Sequence, residues 1–260
     1  MYDREPTGAK RNFVIAAVVA ALLVVGGYWW WTSRKEPPLP LPPAPVAETP
    51  PNYAVPDSAL SKEPLPELDV SDAALLDSAK ELLGVQIVEQ WLIPTELVRR
   101  IVVTVDNLPR KKYAERQKPV KAIPGRFAVE GVENAQVISA GNAARYAPLV
   151  QAMQGLDMGR VAQGYFHWYP LFQEAYRNLG YPDGYFNNRL VAALDDMLAA
   201  PRIAGPIAVI QPNVLYEYAD PALENLSSGQ KLMIRIGAEN QDIVKAKLRE
   251  LRAAVAAGQR

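Results

Sequence analysis

The chain has 260 residues, 28 basic against 28 acidic, with no cysteine and one histidine, His167. That length holds one sizeable core, or one domain with appendages, and the balanced charge selects no partner class. Without cysteine there are no disulfides, thiol nucleophiles or Cys-ligated metals, and a single histidine excludes multi-His metal sites.

Residues 13–31 read FVIAAVVAALLVVGGYWWW. These nineteen uncharged residues are long enough to cross the roughly 30 Å hydrocarbon core as a helix. Tyr28, Trp29, Trp30 and Trp31 form an aromatic belt at one end. The expectation is an uncleaved single-pass anchor, and the competing reading is a cleaved signal peptide ending near Gly26-Gly27. Arg4, Lys10 and Arg11 before the run, against Arg34 and Lys35 after it, favour a cytoplasmic tail over residues 1–12. The bulk of the chain then sits in the periplasm, on a bacterial inner membrane.

Residues 32–70 read as a proline-rich disordered linker; 11 of the 35 residues from Glu36 to Val70 are proline. Proline removes donors and favours an extended chain, which suits a tether. Glu36 to Glu96 holds 11 acids and 2 bases, whereas Arg99 to Arg126 holds 9 bases and 2 acids. Arg110, Lys111, Lys112, Arg116 and Lys118 are therefore a candidate patch for an anionic surface, set against a solvated or internally paired loop.

The rest, 71–260, is expected to be one α-rich domain. Ser71 is placed to cap a helix over 72–83 that Gly84 ends. Leu97, Val98, Ile101, Val102, Val105 and Leu108 keep helical spacing, although IVVTV has strand propensity. FAVEGVENAQVI, 127–138, suggests a short hairpin, and Asn142 opens a helix to Gln154. Asp157 caps a longer helix whose stripe of Val161, Tyr165, Trp168, Tyr169, Phe172, Tyr176 and Leu179 runs in phase past Pro170, which suggests a kink. Gly180 closes it. Asp183 is placed to cap the next helix, with Phe186, Leu190, Leu194 and Met197 inward. IAVI and NVLYEY read as strands. Asp220-Pro221 starts one short helix and Ser227 or Ser228 another, which closes near Gly237, and 239–257 is a long amphipathic helix. The fold class is mainly α with a few short strands, α+β, behind one transmembrane helix.

Three stretches, WLIPTELVRRIVVTVDNLPR, YPLFQEAYRNLGYPDGYFNNRL and LYEYADPALENLSSGQKLMIRIG, occur in one order. Together they resemble the bacterial family catalogued as domain of unknown function 3014, over roughly residues 85–252. The resemblance implies a membrane-anchored protein of Gram-negative bacteria without an assigned activity. No catalytic residue comes with it.

The motifs of phosphate-binding loops, nucleophile elbows and zinc helices are missing. The polar corner LGYPDGYFNNRL supplies candidate ligand-binding residues Tyr181, Asp183, Tyr185, Asn187, Asn188 and Arg189, with Glu174 on the preceding helix. No catalytic residue, metal or cofactor is expected. The preferred function is binding or scaffolding of an envelope component, with a protein or glycan partner and no nucleic acid. Glu174 and Asp183 with the tyrosines leave a second reading, a peptidoglycan-directed hydrolase or glycan-binding module. A helix-turn-helix regulator over 230–257 is the third reading, open only if the topology is inverted.

Overall fold

The computed structural model describes residues 52–60, 63–132 and 135–257, all within one compact unit. The helices in chain order are α1 (Asp72–Leu83), α2 (Val85–Trp91), α3 (Leu97–Asn107), α4 (Gly141–Gln154), α5 (Met158–Asn178), α6 (Phe186–Leu198), α7 (Pro221–Glu224), α8 (Ser228–Arg235) and α9 (Ala238–Ala257). The strands are β1 (Val129–Glu130), β2 (Gln136–Ile138), β3 (Ala208–Ile210) and β4 (Glu217–Tyr218). They form one antiparallel sheet in the order β1-β2-β3-β4.

The mainly helical α+β character agrees with the sequence reading; its transmembrane element is corrected. Among the described residues no helix is long and apolar enough to cross a membrane. The stretch 13–31, on which the anchor was expected, lies outside the described residues.

Two apolar clusters share α5 and α6. The first joins Leu75 of α1, Val98 and Val102 of α3, Trp168 and Phe172 of α5, and Phe186 of α6. The second joins Val150 of α4, Val191 and Leu194 of α6, Met233 of α8 and Val244, Leu248 and Val255 of α9. α5 serves both because its apolar residues spread over more than one stripe. It runs unbroken from Met158 to Asn178 with Pro170 inside it. A smaller cluster of Val209, Tyr218 and Ile234 seats α8 on the sheet.

Several ends follow local chemistry. Asp157 accepts from the amides of Gly159 and Arg160 at 2.8 and 3.2 Å. Asp220, before an N1 proline, accepts from Ala222 at 2.8 Å, and Ser227 accepts from Gln230 at 3.0 Å. Gly180 and Gly237 take φ of 112° and 86°.

Other ends are set from a distance. Ser71 does not cap α1; its hydroxyl donates to Leu68 C=O at 2.8 Å. Asp72, beside it, accepts from the amides of Glu96 and Leu97 at 2.7 and 2.8 Å and so caps α3. The short helix α2 has no counterpart in the sequence reading. Its end is held by strand-like pairing of Leu92 with Val120.

The described residues of the expected linker, 52–60 and 63–70, lie against the body. Val55, Leu60 and Leu65 pack on the first cluster with buried Leu68, and Tyr53 packs on the second. Proline disfavours α-helix here, where only short 3-10 turns form at Asp57–Ala59 and Leu68–Val70, but leaves the interspersed apolar side chains free to dock.

Candidate functional site

The corner between α5 and α6 is built on a buried glutamine. Gln173 accepts from the Phe186 amide at 2.9 Å and from the Tyr169 hydroxyl at 2.8 Å, and donates to Gly184 C=O at 2.7 Å. It therefore does the work expected of Asp183. The N-cap residue of α6 is Tyr185, without a side-chain cap, and Asp183 is exposed. Gly184 is required because a Cβ there would meet the Tyr176 ring at 2.9 Å. That ring stacks on Tyr181 with centroids 4.6 Å apart.

Beneath the corner lies Asp106, at the end of α3 and only 6 % exposed. One Arg110 nitrogen reaches both its carboxylate oxygens at 3.0 and 2.9 Å, and Arg189 Nε reaches Oδ1 at 3.0 Å. Arg110 Nε and Arg189 also donate to the Asp106 carbonyl oxygen. Arg110 donates to the Tyr181 hydroxyl at 2.5 Å, which sits 3.5 Å from the carboxylate. A buried carboxylate holding two guanidiniums satisfies the donors that would otherwise seek a ligand. Arg189 and Tyr181 are thus joined to α3.

Asn187 and Asn188 face the opposite way, toward the N-terminal segment. Asn188 Oδ1 accepts from the Tyr53 amide at 2.5 Å, and Asn187 Nδ2 donates to the Tyr53 carbonyl at 2.8 Å. The buried Asn187 is itself oriented by the Tyr165 hydroxyl at 3.0 Å and the Val255 carbonyl at 3.2 Å. Burial holds the Tyr165 phenol well above its ordinary value, so it stays a donor.

The seven candidates at the corner therefore divide. Tyr181 and Arg189 gather on Asp106, Asn187 and Asn188 gather on Tyr53, and Glu174, Asp183 and Tyr185 are exposed. Asp106, Gln173 and Tyr53 were missed. A lone acid in an otherwise apolar helical stretch, VVTVD, was the available signal for Asp106. Nothing local marks the other two.

The basic block also divides. Arg110 is held at Asp106, Lys111 donates to Asn225 at 3.1 Å, and Lys118 pairs with Glu115 at 3.1 Å. Lys112 and Arg116 are exposed. His167 is half-buried and meets Trp168 edge-on at 5.3 Å. Among the described residues no group of three or more His, Asp or Glu is placed to hold a metal ion.

A cleft of about 340 Å³ opens elsewhere, where the sheet, the 201–207 loop and the α8–α9 turn meet. Ile138, Ile203 and Ile234 line it, together with Ser139, Arg202 and Arg235. Arg202 pairs with Asp242 at 3.0 Å. The Arg235 guanidinium lies 6.0 Å from the Phe127 ring and 5.9 Å from the Tyr218 ring. Behind it, burial would lift the Glu224 carboxyl, but Lys231 at 2.6 Å and the Tyr218 amide outweigh burial and hold it below its usual range. Apolar walls with a few fixed polar groups are the usual make-up of a small-ligand pocket.

No curated protein and no solved structure matches the chain. The model of a family described as protein of unknown function (DUF3014) matches residues 97–252, which include α3, the Asp106 cluster, the corner and the cleft. The match covers more than half of the 260 residues, and the chain belongs to the DUF3014 family.

Proposed function

We propose that the domain is a non-catalytic binding module for a component of the bacterial cell envelope, with the cleft as its port. The observation that carries this reading is the cleft's make-up. Isoleucines share its lining with Ser139, Arg202 and Arg235 around about 340 Å³, enough for a small polar ligand such as a sugar or a dipeptide. The corner supports binding over catalysis as well. Its polar groups are spent on internal bonds, and the acids left over, Glu174 and Asp183, are exposed. The general acid of a glycoside hydrolase sits in a buried, apolar pocket, whereas both of these carboxyl groups face solvent.

Soluble muropeptides, which present both sugars and short peptides, are the probe. The full chain should show chemical-shift changes at Ile203, Ser139 and Arg235 on titration, with no release of reducing ends. Ala204 is exposed at the cleft wall, and Ala204→Trp should abolish those changes without lowering the melting temperature. Muropeptides that leave the cleft signals unmoved, or that are cleaved, would overturn the reading.

A further inference from the structure

The residue held by Asn187 and Asn188 is bound in an uncommon manner. Both main-chain polar groups of Tyr53 are taken up, its N–H by Asn188 and its C=O by Asn187. The residues are 134 and 135 positions apart in sequence, so no local turn imposes the contact. Two amides reading one residue's N–H and C=O recognise an extended backbone, as a neighbouring strand would, without regard to that residue's identity. The bound segment is suited to this. Residues 51–56 read PNYAVP, and the flanking prolines lack donors and favour extended backbone. Pro56 itself has φ −71° and ψ 147°.

The receiving side is rigid. Asn187 is 1 % exposed, and its amide is fixed by Tyr165 from α5 and by Val255 from the end of α9. Side-chain contacts supply the selectivity. The Tyr53 ring packs on the second apolar cluster, with Arg252 close to its hydroxyl. Val55 packs on the first cluster. The segment thus sits on the body as a peptide sits on its receptor. A few neutral hydrogen bonds are individually weak once exchanged against water, so such a strap is exchangeable.

We propose that Asn187 and Asn188 form a peptide-backbone clamp, that residues 52–56 occupy it in cis, and that it takes in trans an extended, proline-flanked, tyrosine-centred peptide. The resident segment defines the ligand chemistry. Covalent attachment gives the strap an effective concentration on the order of millimolar, so a trans ligand binds well only when the strap is displaced. The clamp is separate from the cleft and stands whether or not the cleft binds anything.

The test uses a fluorescent peptide of sequence PNYAVPDSAL, residues 51–60, and the full chain carrying Asn52→Gly, Tyr53→Gly and Val55→Gly. The substituted chain should bind the peptide at least tenfold more tightly than the unsubstituted chain does. Methylating the tyrosine nitrogen of the peptide removes the N–H that Asn188 accepts, and should weaken binding about tenfold. Adding Asn188→Ala to the substituted chain should abolish the penalty of that methylation. If the triple substitution does not fold, Tyr53→Gly alone replaces it, with the same comparisons. A peptide that fails to bind the vacated, folded chain overturns the proposal. So does one whose N-methylated form binds equally well, since an apolar groove alone would not register that change.

Discussion

Asp106→Ala probes the buried charge cluster beneath the corner. The carboxylate is 6 % exposed and meets two guanidiniums, so its removal leaves positive charge against a buried surface. Breaking a buried pair by deleting one partner costs about 3–5 kcal/mol. Here the two arginines do not weigh equally. The Arg110 side chain is 47 % exposed and stays solvated without its partner, whereas Arg189 is 22 % exposed. Arg110→Ala should therefore cost about 1 kcal/mol, at the upper end for exposed pairs. Arg189→Ala should cost about 2 kcal/mol, because a buried acceptor loses a charged donor. Asp106→Ala should reach about 3 kcal/mol, near the low end for buried pairs because Arg110 is half solvated. In a domain of this size that lowers the melting temperature by roughly 6–12 °C. Urea unfolding of the full chain, followed by tryptophan fluorescence, should show earlier midpoints with unchanged slopes. An Asp106→Ala cost below about 1 kcal/mol refutes the reasoning, and so does a larger loss for Arg110→Ala than for Arg189→Ala.

Gln173→Leu removes three hydrogen bonds at the corner and leaves the Phe186 amide without its acceptor; thermal unfolding should register a loss of about 2–3 kcal/mol. Gly237→Ala should cost more than about 1 kcal/mol by the same measurement, because φ is 86° and the new Cβ would lie 2.7 Å from that of Ala143. Burial pushes the Tyr169 and Tyr218 phenols up to about 12 and the Tyr165 phenol well above its usual value. Their folded pKa values exceed the unfolded value of 10, so the stability they contribute is complete below about pH 10 and is lost as pH rises toward 12. Absorbance at 295 nm should show these phenols ionising later than exposed tyrosines, and stability should fall over that range.

What was legible in the sequence and what was not divides by the reach of each interaction. Asp157, Asp220 and Ser227 cap amides two or three positions away, so their partners are visible in the string. Gly84, Gly180 and Gly237 need a positive φ that few other residues adopt, and each marks an end. The apolar spacing of α3 outweighed the strand propensity of IVVTV because one face of α3 is buried against α5 and α6. At the candidate site these local rules gave the wrong partner. Asp183 has the right composition for a cap, but Gln173, thirteen residues before Phe186, makes the bond. Ser71 does not cap α1, and its neighbour Asp72 serves a different helix 24 residues on. Prolines signal an extended chain, which holds at Pro56 but gives way to short 3-10 turns at Asp57–Ala59 and Leu68–Val70, and they say nothing of whether the chain is docked. Asn187, Asn188 and Arg189 stand together in sequence, yet the first two hold Tyr53 and the third holds Asp106. Only the packing of α3, α5, α6 and α9 separates those two tasks.

Native-state hydrogen exchange at the Tyr53 amide tests most directly whether the polar corner holds the chain's own N-terminal segment. In the full chain that amide should be protected, because it donates to Asn188 at 2.5 Å. In Asn188→Ala the protection should fall to that of an open segment while the global unfolding free energy changes little. A Tyr53 amide that exchanges at the unprotected rate in the unsubstituted chain would contradict the clamp.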